Sequence, residues 1–160
     1  MPDNVILIGA IGLAALSCFA IVWGVRFFLV RHNPERAAAS VAVAANVAFD
    51  LQLPGSPGKL FFRFNIDGDT ESDYDLLVSG EIVDERGGTR AFAVKTSEQS
   101  RIEGADSARY VGSTTYAVTT RSGSISLATV QTGDRAVRGV VKEHPSALLR
   151  KGWVYVPRGA

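Results

Sequence analysis

The stretch "NIDGDTESDYD" sets Asp67, Asp69, Glu71, Asp73 and Asp75 at every second position. Hard cations such as calcium take roughly six to eight oxygen ligands, so a loop that gathers carboxylates is a candidate metal site. The EF-hand pattern is absent. Counting from Asp67, the sixth position is Ser72 where that loop requires glycine, and the twelfth is Val78 where it requires a bidentate Glu. On a fully extended chain all five carboxylates would share one side and repel one another, so the segment must bend or bind something. A solvated acidic hairpin loop meets that demand without a ligand, and that is the expectation; no cofactor is expected.

Other catalytic chemistry is sparse. The only histidines are His32 and His144, too few for an imidazole cluster that holds zinc. No G-x-S-x-G, H-E-x-x-H or phosphate-binding glycine loop occurs; "GSPGK" at Gly55 to Lys59 is too short and runs into Leu60. A Ser-His-Asp triad is assembled in space, so sequence order alone does not exclude one around His144. That histidine precedes Pro145 in a polar turn, however, and a solvated loop residue is expected. The chain therefore reads as a non-enzyme. His32 has the chemistry to ligate a haem or chlorophyll-type metal, but an interfacial histidine is the simpler expectation.

These residues are positioned by two very different elements. Val5 to Val25 is a run of 21 residues without a charge. At about 1.5 Å per residue it matches the hydrocarbon thickness of about 30 Å. A cleavable secretory signal wants a basic start, a shorter apolar region and a nearby small-residue cleavage site. Here the start is "MPDN", and Arg26, Arg31, Glu35 and Arg36 separate the run from the "AVA" at Ala42 to Ala44. A retained transmembrane anchor over residues 1–30 is expected. Basic residues near a span prefer the cytoplasmic side. All of the nearby ones follow the run, which predicts an N-terminus outside and a cytoplasmic domain.

Two faces of the anchor carry further expectations. Ala10, Ala14, Ser17, Ile21 and Gly24 recur at helical spacing and form a mostly small-residue stripe on which another helix could pack closely in lipid. The alternative is the ordinary abundance of Ala and Gly in membrane spans. Trp23, Arg26, Phe27, Phe28, Arg31, His32 and Arg36 form a membrane-interface group of amphipathic rings and basic ends. Cys18, the only cysteine, falls mid-span and reads as a small packing residue, so no disulfide framework exists.

Beyond the anchor, residues 31–45 read as a linker in which Asn33 caps and Pro34 begins a short helix. Residues 46–160 read as the domain. A period of two sets in at Val41 and runs to Leu53. It returns at Leu60, Phe62, Phe64 and Ile66, and again at Leu76, Val78 and Ile82, with Gly80 as an expected bulge. Phe92 and Val94, Tyr116 and Val118, Ile125 and Leu127, Val137 and Val141, and Trp153 and Tyr155 mark five more short strands between turn signals. About eight strands with little room for helices predict an all-β fold. It would be an antiparallel β-sandwich or jelly roll behind one N-terminal transmembrane helix.

Charge and the C-terminus bound the partners. Residues 37–160 carry equal numbers of acidic and basic groups, fourteen of each. A neutral domain has no electrostatic reason to bind nucleic acid, whose affinity is largely phosphate neutralisation. In "LLRKGWVYVPR", Arg150, Lys151 and Arg158 flank Trp153 and Tyr155, a mixture suited to a protein contact or to anionic headgroups; the competing account is a last core strand. The expected partners are the bilayer and other membrane subunits. The functional expectation is a non-catalytic accessory or assembly subunit of a larger membrane complex, with respiratory and photosynthetic complexes as the class that collects such chains. A membrane-anchored binder of glycan, lipid or envelope ligand, and a filament subunit, are the two rivals.

Overall fold

The computed structural model describes residues 3–68, 76–96, 119–145 and 147–159. Helix α1 covers Asp3–His32. It is long because no proline or helix-breaking polar cluster interrupts the apolar run, and it stops where Asn33 leaves the helical region and Pro34 follows. The Asn33 side chain accepts a hydrogen bond from the Glu35 amide at 3.0 Å and caps a single 3-10 turn, Pro34–Arg36.

Among the described residues eight antiparallel strands follow: β1 (Ala39–Val43), β2 (Ala48–Gln52), β3 (Gly58–Gly68), β4 (Leu76–Asp84), β5 (Thr89–Lys95), β6 (Thr119–Val130), β7 (Asp134–Glu143) and β8 (Ala147–Val156). They form two four-stranded sheets, ordered β1-β8-β3-β6 and β2-β7-β4-β5. The pairing is nested: first with last, second with seventh, third with sixth and fourth with fifth. One hydrophobic core joins the two sheets in a sandwich-like arrangement. Leu60, Phe62, Phe64 and Ile66 of β3 and Val154 of β8 contribute from one side, and Leu76, Val78, Ile82, Val137 and Val141 from the other. The period-two faces of β3 and β4 point inward as their sequences predict.

Three sequence expectations are redrawn. The alternation from Val41 to Leu53 is two strands rather than one. Asn46 adopts φ 59° between them, a left-handed conformation that Asn tolerates better than most residues, and the chain there crosses from one sheet to the other. As a result β1 lies inside the stretch 31–45 read as linker, and Ala38 donates to the Val156 carbonyl at 2.8 Å. Gly80 is not a bulge: it pairs in regular register with Gly139, and the irregularity between β4 and β7 falls at Val83/Asp84. The β8 residues that enter the core are Val154 and Val156, whereas Trp153 and Tyr155 take the opposite face. The expected strand at Tyr116 and Val118 lies outside the described residues.

The pairing also fixes the two ends of the domain. Gly58 pairs with Val130 beside Val156 and the start of β1, so this end adjoins α1. The turns at 53–57, 85–88 and 131–133 gather here, each with one glycine at positive φ. Gly68 pairs with Thr119 and Ala147 at the other end of β3, roughly 30 Å away for a strand of this length.

Candidate functional site

Helix α1 presents Trp23, Arg26, Phe27 and Val30 along one face, the i, i+3, i+4, i+7 spacing of adjacent helical turns. That face looks onto the adjoining end of the domain, and between the two lies a cleft of about 520 Å³. The opposite wall is built from the start of β3, where Lys59 and Phe61 project, and from Val156, Pro157 and Arg158 at and beyond the end of β8. The Trp23 and Phe27 rings stack at 6.1 Å between centroids. Phe61 stacks on Tyr155 at 5.8 Å, on the outer face of the sheet and apart from the shared core.

The register between β3 and β8 builds this wall. Phe61 pairs with Tyr155 and Phe62 with Val154, so consecutive residues of β3 serve different surfaces: Phe62 the core, Phe61 the outer face. A register irregularity between Leu60 and Phe61 accompanies the switch.

Electrostatically the cleft has one sign. Arg26, Lys59 and Arg158 line it, and no carboxylate is among its described lining residues. All three side chains are exposed. The described ion pairs, Arg90–Asp134, Arg138–Asp50 and Arg150–Asp67, involve none of them. The apolar walls and the three cations suit a ligand with an anionic head and a hydrophobic body.

The residues singled out in sequence fall into separate places. Of the acidic run, Asp67 is described and pairs with Arg150 at the end of β3 remote from α1; Asp69, Glu71, Asp73 and Asp75 lie outside the described residues. Among the described residues no three His, Cys, Asp or Glu side chains gather in a metal-binding group. His144 sits half-buried in the β7–β8 turn at that same remote end, where its carbonyl accepts from the Ala147 amide at 2.9 Å.

The C-terminal group does not form one patch. Arg150 pairs with Asp67, the Lys151 ammonium lies 4.7 Å from the centre of the Trp153 ring, Tyr155 is fully buried, and only Arg158 reaches the cleft. Ala10, Ala14, Ser17 and Gly24 are all exposed on α1, and the Ser17 hydroxyl donates back to the Leu13 carbonyl at 2.9 Å. Of the interface group, Trp23, Arg26 and Phe27 line the cleft, while Arg36 sits with Val25 and Leu29 on an adjacent face of the helix. Phe28 is exposed; Arg31 and His32 close the helix by their backbones. Lys59 and Phe61 are absent from the sequence-derived sites because only the pairing of β3 with β8 brings them to α1.

Compared with protein-family models, curated proteins and solved structures, the chain matches none of them.

Proposed function

We infer that this chain is a single-pass membrane protein whose β domain lies on the cytoplasmic side and acts as a non-catalytic accessory or assembly subunit of a larger membrane complex. One observation carries the membrane part. Asn4–Val30 is apolar enough to span a bilayer, and none of it is buried against the domain. A core helix of a soluble protein would be covered by its own fold. Here fifteen large apolar side chains from Val5 to Leu29 stand exposed. At about 1.5–3 kcal/mol for each such side chain removed from water, their burial is worth on the order of 20 kcal/mol or more. A typical domain is stable by only about 5–15 kcal/mol, so lipid or another protein must cover this helix.

Orientation rests on Arg26, Arg31 and Arg36, which follow the apolar run, while no Lys or Arg precedes it. The nested strand pairing supports a jelly-roll reading of the domain, since folding one long hairpin over on itself pairs first with last and inner with inner. The subunit role is supported by the absence of catalytic motifs in the sequence and by an anchor whose small-residue stripe stands exposed. Respiratory and photosynthetic assemblies are the class of complex in view.

The test is gentle solubilisation of the native membrane, size separation, and mass spectrometry of whatever travels with the chain. Co-migration with a defined large complex is expected. Migration alone, or only with further copies of itself, overturns the subunit role and favours the ligand-binding or filament readings.

A further inference from the structure

We propose that the cleft between α1 and the β domain is a binding site for the anionic headgroup of a membrane phospholipid. The inference rests on the reading that α1 spans the bilayer with the domain on the cytoplasmic side. The depth is right for such a ligand: Val25 ends the uncharged run and Arg26 lines the cleft, so the cleft opens where hydrocarbon gives way to headgroups. A lipid entering from the leaflet need not leave it to reach the site.

Chemistry matches the two halves of that ligand. Arg26, Lys59 and Arg158 converge from three parts of the chain on a cleft without a described carboxylate, which suits a phosphate and a second anionic group. Trp23, Phe27 and Phe61 supply apolar walls for the glycerol and upper acyl carbons. Its volume of about 520 Å³ falls within the range of about 300–1,000 Å³ common for small-ligand sites. The cytoplasmic leaflet is the anionic one, and each basic residue near its surface adds attraction, so three on one cleft select for charge strongly. Lys59 and Arg158 belong to the domain and Arg26 to the helix, so a lipid held by all three also fixes how the domain stands on the membrane.

The test uses the full chain in lipid nanodiscs with Trp153→Phe, which leaves Trp23 as the only tryptophan. Its fluorescence is measured with brominated phosphatidylglycerol or brominated phosphatidylcholine at equal mole fraction. Preferential quenching by phosphatidylglycerol is expected, equivalent to a local enrichment of about fivefold or more. The combined substitution Arg26→Gln, Lys59→Gln and Arg158→Gln should abolish that preference, whereas Lys142→Gln, on β7 away from the cleft, should leave it intact. Equal quenching by both lipids overturns the proposal while leaving the membrane span standing. Quenching by neither lipid overturns the span itself. A preference that survives the triple substitution also overturns the proposal, because it assigns the selectivity to general membrane charge.

Discussion

The Asp134 carboxylate takes both terminal nitrogens of Arg90, at 2.9 and 2.7 Å, and so ties β5 at the sheet edge to the first residue of β7. Asp134 is almost fully buried and also accepts from the Gln131 amide at 2.6 Å. Hydrogen bonding to Arg90, more than any other influence, holds its carboxyl below the ordinary carboxylate pKa. Arg90→Ala would leave that buried charge with one fewer strong partner and should lower stability by about 1–3 kcal/mol in denaturant titration. Arg150→Ala, at a pair whose arginine is mostly exposed, should cost about 0–1 kcal/mol.

The same pair predicts an acid sensitivity. Because Asp134 titrates lower in the folded chain than in the unfolded one, its contribution is complete above the unfolded value near 4 and drains away as the pH falls through the lower, folded value. The stability gap between the parent and Asp134→Asn should therefore be widest at neutral pH and narrow below about pH 4. A gap that does not change with pH would show that the ion pair is not what the substitution removes.

Gly80 and Gly139 face each other on the two central strands of their sheet. A Cβ on Gly80 would come within 2.1 Å of the Arg138 carbonyl oxygen and 2.7 Å of the Gly139 Cα, both backbone atoms that cannot rotate away. Gly80→Ala should destabilise by about 2 kcal/mol or more, measured as a lowered midpoint of thermal or denaturant unfolding. Gly87→Ala tests a different cost: its Cβ meets nothing, so the loss should be limited to strain at φ 83°.

Orientation is checked by labelling single cysteines in a Cys18→Ala background with a membrane-impermeant maleimide. Asn4→Cys should react in intact cells, and Thr132→Cys, in an exposed turn of the domain, only after permeabilisation. The reverse pattern would place the β domain outside and turn attention to envelope ligands.

Much of the fold is legible along the chain because its signals are local. The charge-free run spells out α1, and Leu60, Phe62, Phe64 and Ile66 spell out a strand with one buried face. What is not legible depends on register. "WVYV" offers two alternating pairs of similar bulk, and sequence order cannot say that Val154 and Val156 enter the core while Trp153 and Tyr155 turn away. The cleft is hidden for the same reason. Trp23 and Arg26 stand out near the end of the apolar run and Arg158 near the aromatic C-terminus, but Lys59 looks like an ordinary surface cation, and nothing in sequence order joins the three cations until strand pairing sets Lys59 and Arg158 beside the helix.

The nested order of the strands also has a kinetic side. Ala39 pairs with Val156 and Phe49 with Gly139, while β4 and β5, at the centre of the nest, form the one hairpin between neighbouring strands among the described residues. Contacts between distant parts of a chain close slowly, because the loop entropy is lost before the contact forms. During synthesis, α1 leaves the ribosome long before β8 exists. The phenylalanine-rich β3 must then wait for both of its neighbours, β6 and β8, which are made later. That interval is when the chain is most open to aggregation or to capture by a chaperone, and it lasts until β8 has been synthesised.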